Sequence, residues 1–352
     1  MEYFVNLLMD LIPVLSDLPS WLVLPPIMFV YGAMVFTGIA VYALVVIWFE
    51  RKVAAHMQDR LGPMEVGGWH GWLQTVADSL KLLLKEDIIP ALADRRLFKL
   101  APYIVFLAVF SVFAALPFSD KIIGSELNIG IFYILAVSSV GVIGILMAGW
   151  GSNNKWALFG SMRSVAQLVS YEIPIGLSIL VVVMTVGSLS MRDIVMAQDG
   201  GILNWMIWKN PPFNFIAFLV LFIAGTAESN RVPFDIPEAE SELVAGFHVE
   251  YSGMRFSFFF LAEYAHMLAI GVIASTLFLG GWHWVTGAVS TPGIGLLVMS
   301  LKAFSFVLVM IWFRWTLPRL RVDQLMYVCW KVLVPLSFLN MVGAGLWVGF
   351  SS

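Results

Sequence analysis

The sequence has few charged residues, and this scarcity argues against the common soluble classes of protein. Asp, Glu, Lys and Arg make up 12% of the 352 residues, whereas apolar residues make up 60%. Soluble globular proteins are typically about 25% charged and about 45–50% apolar. The composition therefore predicts a membrane protein and argues against a disordered chain, a coiled coil or a cytosolic enzyme. A net charge of −3 provides no basic field for nucleic acid.

Cysteine is also scarce, because Cys329 is the only one in the sequence. One thiol forms no internal disulfide and supplies neither a zinc cluster nor an iron–sulfur cluster. The sequence contains no GxGxxG or Walker-type loop, so we expect this chain to bind neither NAD nor ATP. Its five histidines lack metal-ligand spacing, and we interpret each of them as a packing or capping residue.

Apolar runs long enough to cross a bilayer recur along the whole chain. A spanning helix needs about 20 mostly apolar residues. We predict an all-α integral membrane protein with about eight such helices, and a single membrane domain over residues 1–352, because no low-complexity linker divides the chain. The predicted spans are Trp21–Phe49, Leu100–Phe118, Ile129–Trp150, Ser164–Gly187, Pro211–Ala227, Phe256–Leu279, Ile294–Phe313 and Val328–Phe350.

The first predicted span is unusually long. No charged residue occurs in the 32 residues between Asp17 and Glu50. A helix of that length measures about 48 Å, whereas the hydrocarbon core is about 30 Å thick. We therefore expect this helix to be strongly tilted or to enter the membrane only after Pro25–Pro26. We expect no cleaved signal peptide before it, since no basic start with a short apolar run and a small-residue cleavage site occurs there.

Basic residues are distributed unevenly between the two sets of loops. The loops after the first, third, fifth and seventh spans carry 15 Lys and Arg residues, and the opposite loops carry three. The positive-inside rule then places the first set on the cytoplasmic or matrix side and both termini outside. Two of these inner loops, 50–99 and 228–255, are long enough to form structure of their own.

The first long inner loop contains an amphipathic segment. Apolar residues recur there at helical intervals: Leu73, Val76, Ala77, Leu80, Leu83 and Leu84. Asp78, Lys81 and Lys85 lie off this stripe. The pattern predicts a helix that lies at the membrane interface or packs against a span. A simple membrane anchor remains the alternative, because the stripe carries no chemistry.

Four charged residues lie inside or at the ends of predicted spans, namely Glu50, Glu172, Glu263 and Lys302. A charge within a bilayer costs several kcal/mol unless it is paired or hydrated, so such residues are functional candidates. Each one alone could instead be a buried structural pair or a side chain that reaches back to the interface. Together they favour a polar pathway through the helix bundle.

The second long inner loop is strongly acidic. Six carboxylates and one basic residue, Arg231, lie between Glu228 and Glu250. Asp235 and Glu238 have the spacing of a capping box, which accounts for two of the six acids. Crowded, partly buried carboxylates raise one another's pKa and can exchange protons near neutral pH. We therefore predict a proton-exchanging loop, with a solvated acidic face as the alternative.

Several motifs in this sequence are distinctive. The first group is Glu50-Arg51-Lys52, Arg60-Leu61-Gly62-Pro63, Leu73-Gln74, Ala77-Asp78 and Lys85-Glu86. The second group includes Ala227-Glu228-Ser229-Asn230-Arg231, Pro233-Phe234-Asp235, Glu240-Ser241-Glu242-Leu243 and Ala262-Glu263-Tyr264. With Ser170-Tyr171-Glu172 and Leu317-Pro318-Arg319, they span most of the chain. On these motifs the chain resembles the family of quinone-site membrane subunits of respiratory complex I, which occurs in bacteria and in mitochondria.

The resemblance implies roles for the motif residues. Inner loops 50–99 and 228–255 would form the floor of a ubiquinone chamber, and a Glu-rich path would couple quinone reduction to proton translocation. The implied quinone-binding residues are Arg51, Arg60, Asp78, Glu86, Arg231, Phe234 and Asp235. The implied proton path consists of Glu50, Glu172, Glu228, Glu238, Glu240, Glu242 and Glu263.

The resemblance also implies partners and a location. Ubiquinone would be the substrate, whereas FMN and iron–sulfur clusters would belong to partner subunits. The partners would be the hydrophilic-arm subunits of the quinone site, neighbouring membrane-arm subunits and lipid, with no nucleic acid. We expect a multi-pass protein of a bacterial inner membrane, with both termini periplasmic, in preference to a mitochondrial one.

Two other functions are compatible with a polytopic chain of this kind. One is the related membrane subunit of a membrane-bound hydrogenase, which needs no quinone. The other is a stand-alone ion transporter, although the two halves of the sequence show no internal repeat of the kind common in secondary transporters. Copurified nickel would favour the hydrogenase, and transport by the chain alone in liposomes would favour the transporter.

Overall fold

The computed structural model of this chain is built from helices. It describes residues 20–237, 240–287, 289 and 291–351, and for residues 20–22, 240, 241 and 351 the backbone alone. Extended pairing in these residues consists of two isolated bridges, Pro117–Ile123 and Trp284–Gly287. The helices are α1 (Ser20–Met57), α2 (Gln74–Leu84), α3 (Arg95–Val112), α4 (Gly130–Gly151), α5 (Lys155–Val186), α6 (Met191–Met196), α7 (Phe213–Glu228), α8 (Glu240–Leu243), α9 (Gly253–Phe278), α10 (Pro292–Thr316), α11 (Val322–Tyr327) and α12 (Val334–Ser351).

Six helical segments in the described residues are long and apolar enough to cross a membrane. They are Val23–Met57, the whole of α4, α5, α9 and α10, and Val322–Phe350, which joins α11 to α12 through a π-helical turn. Helix α7 is apolar but has 16 residues, and α3 has basic residues in its first turns. The predicted all-α integral membrane fold is confirmed, and two of the eight predicted spans correspond to these less typical helices.

Two spans begin earlier than their apolar runs, because polar residues cap them. Asp94 accepts hydrogen bonds from the backbone N–H groups of Arg96 and Leu97 at 3.0 and 3.3 Å, so α3 starts at Arg95 and not at Leu100. Asn154 accepts from Trp156 N–H at 2.9 Å, which starts α5 nine residues before the predicted Ser164. Such caps satisfy N–H groups that have no partner within the helix.

Helix α1 continues past its predicted end at Phe49 for two more turns. It has 38 residues and therefore a length of about 57 Å at about 1.5 Å per residue. Its last turns bury Ala54 and Ala55. Lys52 is also buried, and its ammonium group donates to the carbonyls of Leu61 and Pro63 at 3.2 and 2.6 Å. This contact folds the following loop back onto the helix end.

The helices form one bundle with two apolar cores. Helix α3 packs against α4, α4 against α5, and α5 against α7 and α12, while α9 packs against both α3 and α10. A large core fills the space between them. A second, smaller core joins α1 to α9 and α10 through residues such as Val46, Met267 and Met310. The predicted amphipathic helix is present as α2, which contacts α1 and α9.

Lys302 lies apart from the other charges of the spans. Its ammonium group donates to the carbonyls of Leu279, Gly281 and His283 at 2.5, 2.9 and 2.6 Å, and it lies 4.4 Å from the centre of the Trp205 ring. It therefore satisfies carbonyl groups of the turn that follows α9. The predicted inclusion of Lys302 in a common polar pathway is not supported by this position.

Candidate functional site

A cavity of about 670 Å³ opens where α1, α9 and α10 meet the loop after α1; we call it the large cavity. Arginine and aromatic side chains make up much of its lining. Its lining residues include Glu50, Arg51, Arg60, Leu61, Gln74, Phe260, Tyr264, Arg314 and Trp315. Of the residues predicted to bind quinone, Arg51 and Arg60 lie in this wall. Its volume falls within the range of about 300–1,000 Å³ that is typical of small-molecule sites.

The loop that forms one side of the large cavity is held close to α1. Arg60 N–H donates to the Ala55 carbonyl at 2.8 Å. Gly62 has a φ of +70°, and a Cβ at this position would lie 3.0 Å from the Ala55 Cβ. A residue with a side chain would therefore be strained here both by its backbone conformation and by contact with α1. The Arg60–Pro63 motif thus fixes the cavity wall.

Helix α2 closes another side of the large cavity. Arg51 on α1 contacts Asp78 on α2 at 2.6 Å. Gln74, one turn earlier on α2, donates to the other Asp78 carboxylate oxygen at 3.1 Å. Asp78 therefore positions a cavity-lining arginine and glutamine. Glu86, by contrast, is exposed beyond the end of α2, where its backbone carbonyl accepts a hydrogen bond from Ser252.

A buried cluster of charges lies behind the wall of the large cavity. Glu50 is 5% exposed. Its carboxylate contacts the Arg314 guanidinium and accepts a hydrogen bond of 2.6 Å from the Tyr264 hydroxyl. Arg231 lies 3.5 Å from the same carboxylate. Both guanidinium groups therefore compensate one buried acid, which would otherwise be costly to place in this environment.

Arg231 joins Glu50 to a second buried acid. Its Nε atom lies 2.9 Å from Glu263, and its guanidinium carbon lies 4.4 Å from the centre of the Tyr264 ring. Burial alone would lower the pKa of this guanidinium, but Glu263, Tyr264 and Glu50 together raise it well above its ordinary value. Arg231 is therefore a permanent cation between two carboxylates that come from different helices.

Glu263 also lines a second cavity of about 70 Å³, which we call the acidic cavity. This volume is enough for several water molecules, since one requires about 10–15 Å³ on the same measure. Five titratable side chains line it: Glu172, Glu228, His248, Glu263 and His266. Three of the glutamates predicted to form a proton path, one each from α5, α7 and α9, thus meet at one place.

The contacts of Glu50, Arg231 and Glu263 connect the two cavities. Glu50 lines the large cavity and Glu263 lines the acidic cavity. Arg231 contacts both carboxylates. A change of charge near Glu50 therefore alters the electrostatic environment of Glu263. Two unit charges about 4 Å apart interact by about 4 kcal/mol at an effective dielectric constant of about 20, several times the thermal energy.

Phe234 and Asp235 were predicted to lie at the quinone site, and they occupy a neighbouring position. Asp235 contacts Arg319 at 2.8 Å, and Phe234 packs edge-on against Tyr171 with ring centres 5.5 Å apart. Burial raises the pKa of Asp235 above its ordinary value, and the Arg319 guanidinium opposes that rise only in part. Neither residue is among those lining the large cavity. Their contacts fix the course of the loop that contains Arg231.

The remaining predicted acids of this loop have different surroundings. Glu242 is more than half exposed and contacts Arg163 at 2.6 Å. Glu240 begins the short helix α8. Glu238 lies outside the described residues, so the predicted capping box between Asp235 and Glu238 stays a prediction.

Sequence reasoning did not single out several residues that belong to these cavities. Arg314 was counted only among the basic residues that set the orientation, although it contacts the buried Glu50. His266 was interpreted as a packing residue, although it lies 3.6 Å from Glu228 in the acidic cavity. Its position three residues after Glu263, on the same face of a helix, was the available signal. Nothing in the sequence pattern marked Trp315.

Comparison with known proteins identifies the family. The model of the family described as NADH dehydrogenase matches residues 30–345. This chain belongs to that family. A relative from Chlorobaculum tepidum, named as the H subunit of NADH-quinone oxidoreductase, is 53% identical over 322 residues, which cover 88% of this chain and 89% of the relative. A protein of the same name from Geobacillus thermodenitrificans is 50% identical over 334 residues, which cover 93% and 96% of the two chains.

Membership of the family confirms the resemblance that was inferred from the motifs. A third relative with the same name, from Anaeromyxobacter dehalogenans, is 48% identical over 326 residues, covering 88% of this chain and 78% of its own length. The matched region 30–345 contains both cavities and the contacts between them. The chain is therefore a membrane-embedded member of an oxidoreductase family.

Proposed function

We propose that this chain is the membrane subunit that forms the quinone chamber of a proton-translocating NADH:quinone oxidoreductase and couples quinone reduction to proton movement. The observation that supports this proposal best is the contact chain from Glu50 through Arg231 to Glu263, which joins the large cavity to the acidic cavity. The names of the relatives agree with it.

The large cavity would receive the quinone head group. Its guanidinium groups, from Arg51, Arg60 and Arg314, can donate hydrogen bonds to quinone carbonyl oxygens. Phe260 and Trp315 supply aromatic surface against which a planar ring can pack. Asp78 would act by holding Arg51 and Gln74 in place. Glu86, Phe234 and Asp235 would shape the surrounding loops rather than touch the ring.

The chemistry at this site needs both electrons and protons. Conversion of a quinone to a quinol consumes two electrons and two protons. The electrons would come from partner subunits that carry FMN and iron–sulfur clusters, which matches the absence of nucleotide and cluster motifs from this sequence. Removal of protons from the large cavity would leave negative charge beside Glu50. The Arg231 guanidinium would then move toward Glu50, and its ion pair with Glu263 would weaken.

When Arg231 moves away from it, Glu263 would take up a proton in the acidic cavity. A buried carboxylate that loses its cation partner is favoured in its neutral form. Glu228 and Glu172 line the same cavity and can pass protons through water within it. Glu238, Glu240 and Glu242 extend the path as predicted members, on the strength of the family motifs. The neighbouring membrane subunits would receive the resulting charge displacement.

The setting follows from this assignment. The partners would be the quinone-site subunits of the hydrophilic arm, the adjacent subunits of the membrane arm, lipid and ubiquinone. We place the chain in a bacterial inner membrane, because its three named relatives come from bacteria. Both termini would be periplasmic, since the basic residues concentrate in the opposite loops.

The proposal is tested by replacing the acid that links the two cavities. In the assembled complex, Glu263→Gln should lower NADH:ubiquinone reduction and proton pumping about 10-fold, because the neutral side chain no longer responds to Arg231. NADH oxidation by ferricyanide, which bypasses the quinone, should persist. The matched control is Glu126→Gln, an exposed glutamate paired with Arg192. Full activity of Glu263→Gln would contradict the proposal, and a nickel-containing complex without flavin would indicate a hydrogenase instead.

A further inference from the structure

His266 lines the acidic cavity. It lies on α9, three residues after Glu263, so both side chains project from the same face of that helix. Its Nε2 atom lies 3.6 Å from the carboxylate of Glu228 on α7. This separation is an ion-pair distance and is too long for a hydrogen bond. One water molecule or a small side-chain rotation would connect the two groups.

The two side chains also mark a boundary. A third cavity of about 30 Å³ adjoins the acidic cavity, and Ser138, Glu228 and His266 line both of them. Its other lining residues are apolar, among them Ile175, Leu221 and Ile270. Glu228 and His266 therefore stand where a polar cavity ends and an apolar one begins. A net charge on this boundary is unfavourable, because the apolar side cannot solvate it.

We propose that His266 is a proton-relay residue that shares one proton with Glu228 at this boundary and exchanges it with the other titratable groups of the acidic cavity, Glu172 and Glu263. With one proton the pair carries no net charge, whether the carboxyl is neutral or the pair is a carboxylate and an imidazolium. The step breaks the O–H bond of the Glu228 carboxyl and forms an N–H bond at His266. It consumes no electron and needs no co-reactant.

The charges around His266 come from a small set of residues. Glu172 on α5, Glu228 on α7 and His248 in the turn after α8 face the acidic cavity, and Glu263 precedes His266 on α9 itself. The nearest cation in this set of contacts is Arg231, which touches Glu263. Helices α3 and α4 contribute Val105, Val109 and Ser138 to the wall, which carry no titratable group.

Imidazole suits this role because it is the side chain whose charge ordinarily changes between about pH 5 and 8. A carboxylate–imidazole pair can therefore pass one proton between an oxygen and a nitrogen atom without acquiring a net charge. This inference rests on the proposed function and adds a residue to it. It also predicts a pH dependence that an amide at position 266 cannot reproduce.

The test uses the assembled complex in proteoliposomes, with His266→Asn as the variant and the exposed His56→Asn as its matched control. We expect His266→Asn to lower NADH:ubiquinone-driven proton uptake at least five-fold and to flatten the pH profile of quinone reduction between about pH 6 and 8. Ferricyanide reduction should stay within two-fold of the wild type. The His56 variant should keep the wild-type profile.

Two further measurements separate the different ways in which the test can fail. In the double variant Glu228→Gln/His266→Asn, the loss should be no greater than in the more damaging single variant, because groups that share a proton act as a unit. A wild-type pH profile and wild-type pumping in His266→Asn would overturn the relay. Absence of quinone reduction in the wild type would instead refute the proposed function. If His266→Asn fails to assemble, His266→Gln, which has a longer side chain, is put to the same criteria.

Discussion

At the scale of single residues, Arg231 holds the central position. It contacts both Glu50 and Glu263, and it is 4% exposed. The guanidinium group is planar and has five N–H donors, so it can serve two carboxylates at once, whereas an ammonium group is a compact point charge. The shape of the guanidinium group, as well as its charge, therefore matters for the connection between the cavities.

This argument predicts that Arg231→Lys uncouples the two cavities while the complex still assembles. The lysine keeps a positive charge, so the buried acids stay compensated, but it cannot contact both. We expect quinone reduction to fall about 10-fold, which corresponds to about 1.4 kcal/mol in the activation free energy. Quinone and ferricyanide rates, measured on the same preparation, check this. Arg192→Lys, which alters a partly buried arginine paired with Asp120 and Glu126, serves as control, and equal losses in both variants would contradict the argument.

Arg231→Gln should behave differently, because it removes the charge as well as the shape. Breaking a buried ion pair from one side typically costs about 3–5 kcal/mol, since the other charge is left uncompensated. Glu50 retains Arg314, but Glu263 loses its close cation. We expect less assembled complex in the membrane, which immunoblotting of native gels measures. Wild-type amounts of this variant would mean that Arg231 contributes little to folding.

His248 provides a prediction about pH. Burial lowers the pKa of its imidazole from 6.5 to about 4. Between these two pH values the unfolded chain binds a proton that the folded chain does not, so stability falls as the pH falls through this window. The largest contribution is about 3 kcal/mol, at about 1.4 kcal/mol per pKa unit. The melting temperature of the complex at pH 7.5 and pH 5 measures the effect. His248→Phe should reduce the difference and His56→Asn should leave it unchanged.

At the scale of helices, the sequence predicted which segments are helical better than where they end. Apolar runs identified every long helix, because burial in lipid or in the bundle demands apolar side chains. The starts of α3 and α5 depend on hydrogen bonds from Asp94 and Asn154, which are local and polar. The end of α1 depends on Lys52, whose partners are the carbonyls of a loop that approaches only in the folded chain. Hydropathy carries no information on such contacts.

Close approach between elements is a further feature that hydropathy does not reveal. Gly160 on α5 faces the turn Gly246–His248, and a Cβ at position 160 would lie 2.7 Å from the Gly246 Cα and 2.8 Å from the Phe247 nitrogen. Both are backbone atoms, so the turn itself would have to move. This turn carries His248 into the acidic cavity. The glycine therefore determines where one wall of the cavity lies.

Gly160→Ala is expected to destabilise the protein by about 1–3 kcal/mol, the usual cost of forcing extra volume into a packed region. Gly176→Ala on the same helix is the matched control, because a Cβ there meets nothing within 4 Å. The measurement is the melting temperature of the purified complex, together with its NADH:ubiquinone activity. Equal behaviour of the two variants would show that the turn can shift at little cost.

At the scale of the whole molecule, the sequence predicted which residues belong to the candidate site better than how they are arranged. The resemblance supplied several charged residues at the two cavities, among them Glu50, Arg231 and Glu263, but not Arg314 or His266. It did not supply their arrangement, in which Glu50 faces one cavity, Glu263 faces another and Arg231 stands between. That division arises because α9 packs against both α1 and α7. The contribution of Arg314 likewise depends on the position of α10.

An apolar surface next to the large cavity is suited to binding another protein. The loop beside the large cavity exposes Leu61, Trp69 and Trp72, and the two tryptophans are 73% and 54% exposed. This loop lies outside the helical segments that are long and apolar enough to cross a membrane. Large apolar side chains left in water are unfavourable, and such clusters mark interaction sites. The proposed quinone-site subunits of the hydrophilic arm would cover this surface and close the cavity.

Photo-crosslinking checks this arrangement directly. A benzoylphenylalanine at position 69 should form an adduct with a hydrophilic-arm subunit when the native membrane is irradiated. The matched position is Trp347, a half-exposed tryptophan on the membrane-spanning helix α12, which should give no adduct with that arm. Because both probes replace an exposed tryptophan, a difference between them reports the neighbours and not the chemistry. Adducts from position 69 only to lipid, or to the same proteins as from position 347, would show that the large cavity is closed in another way.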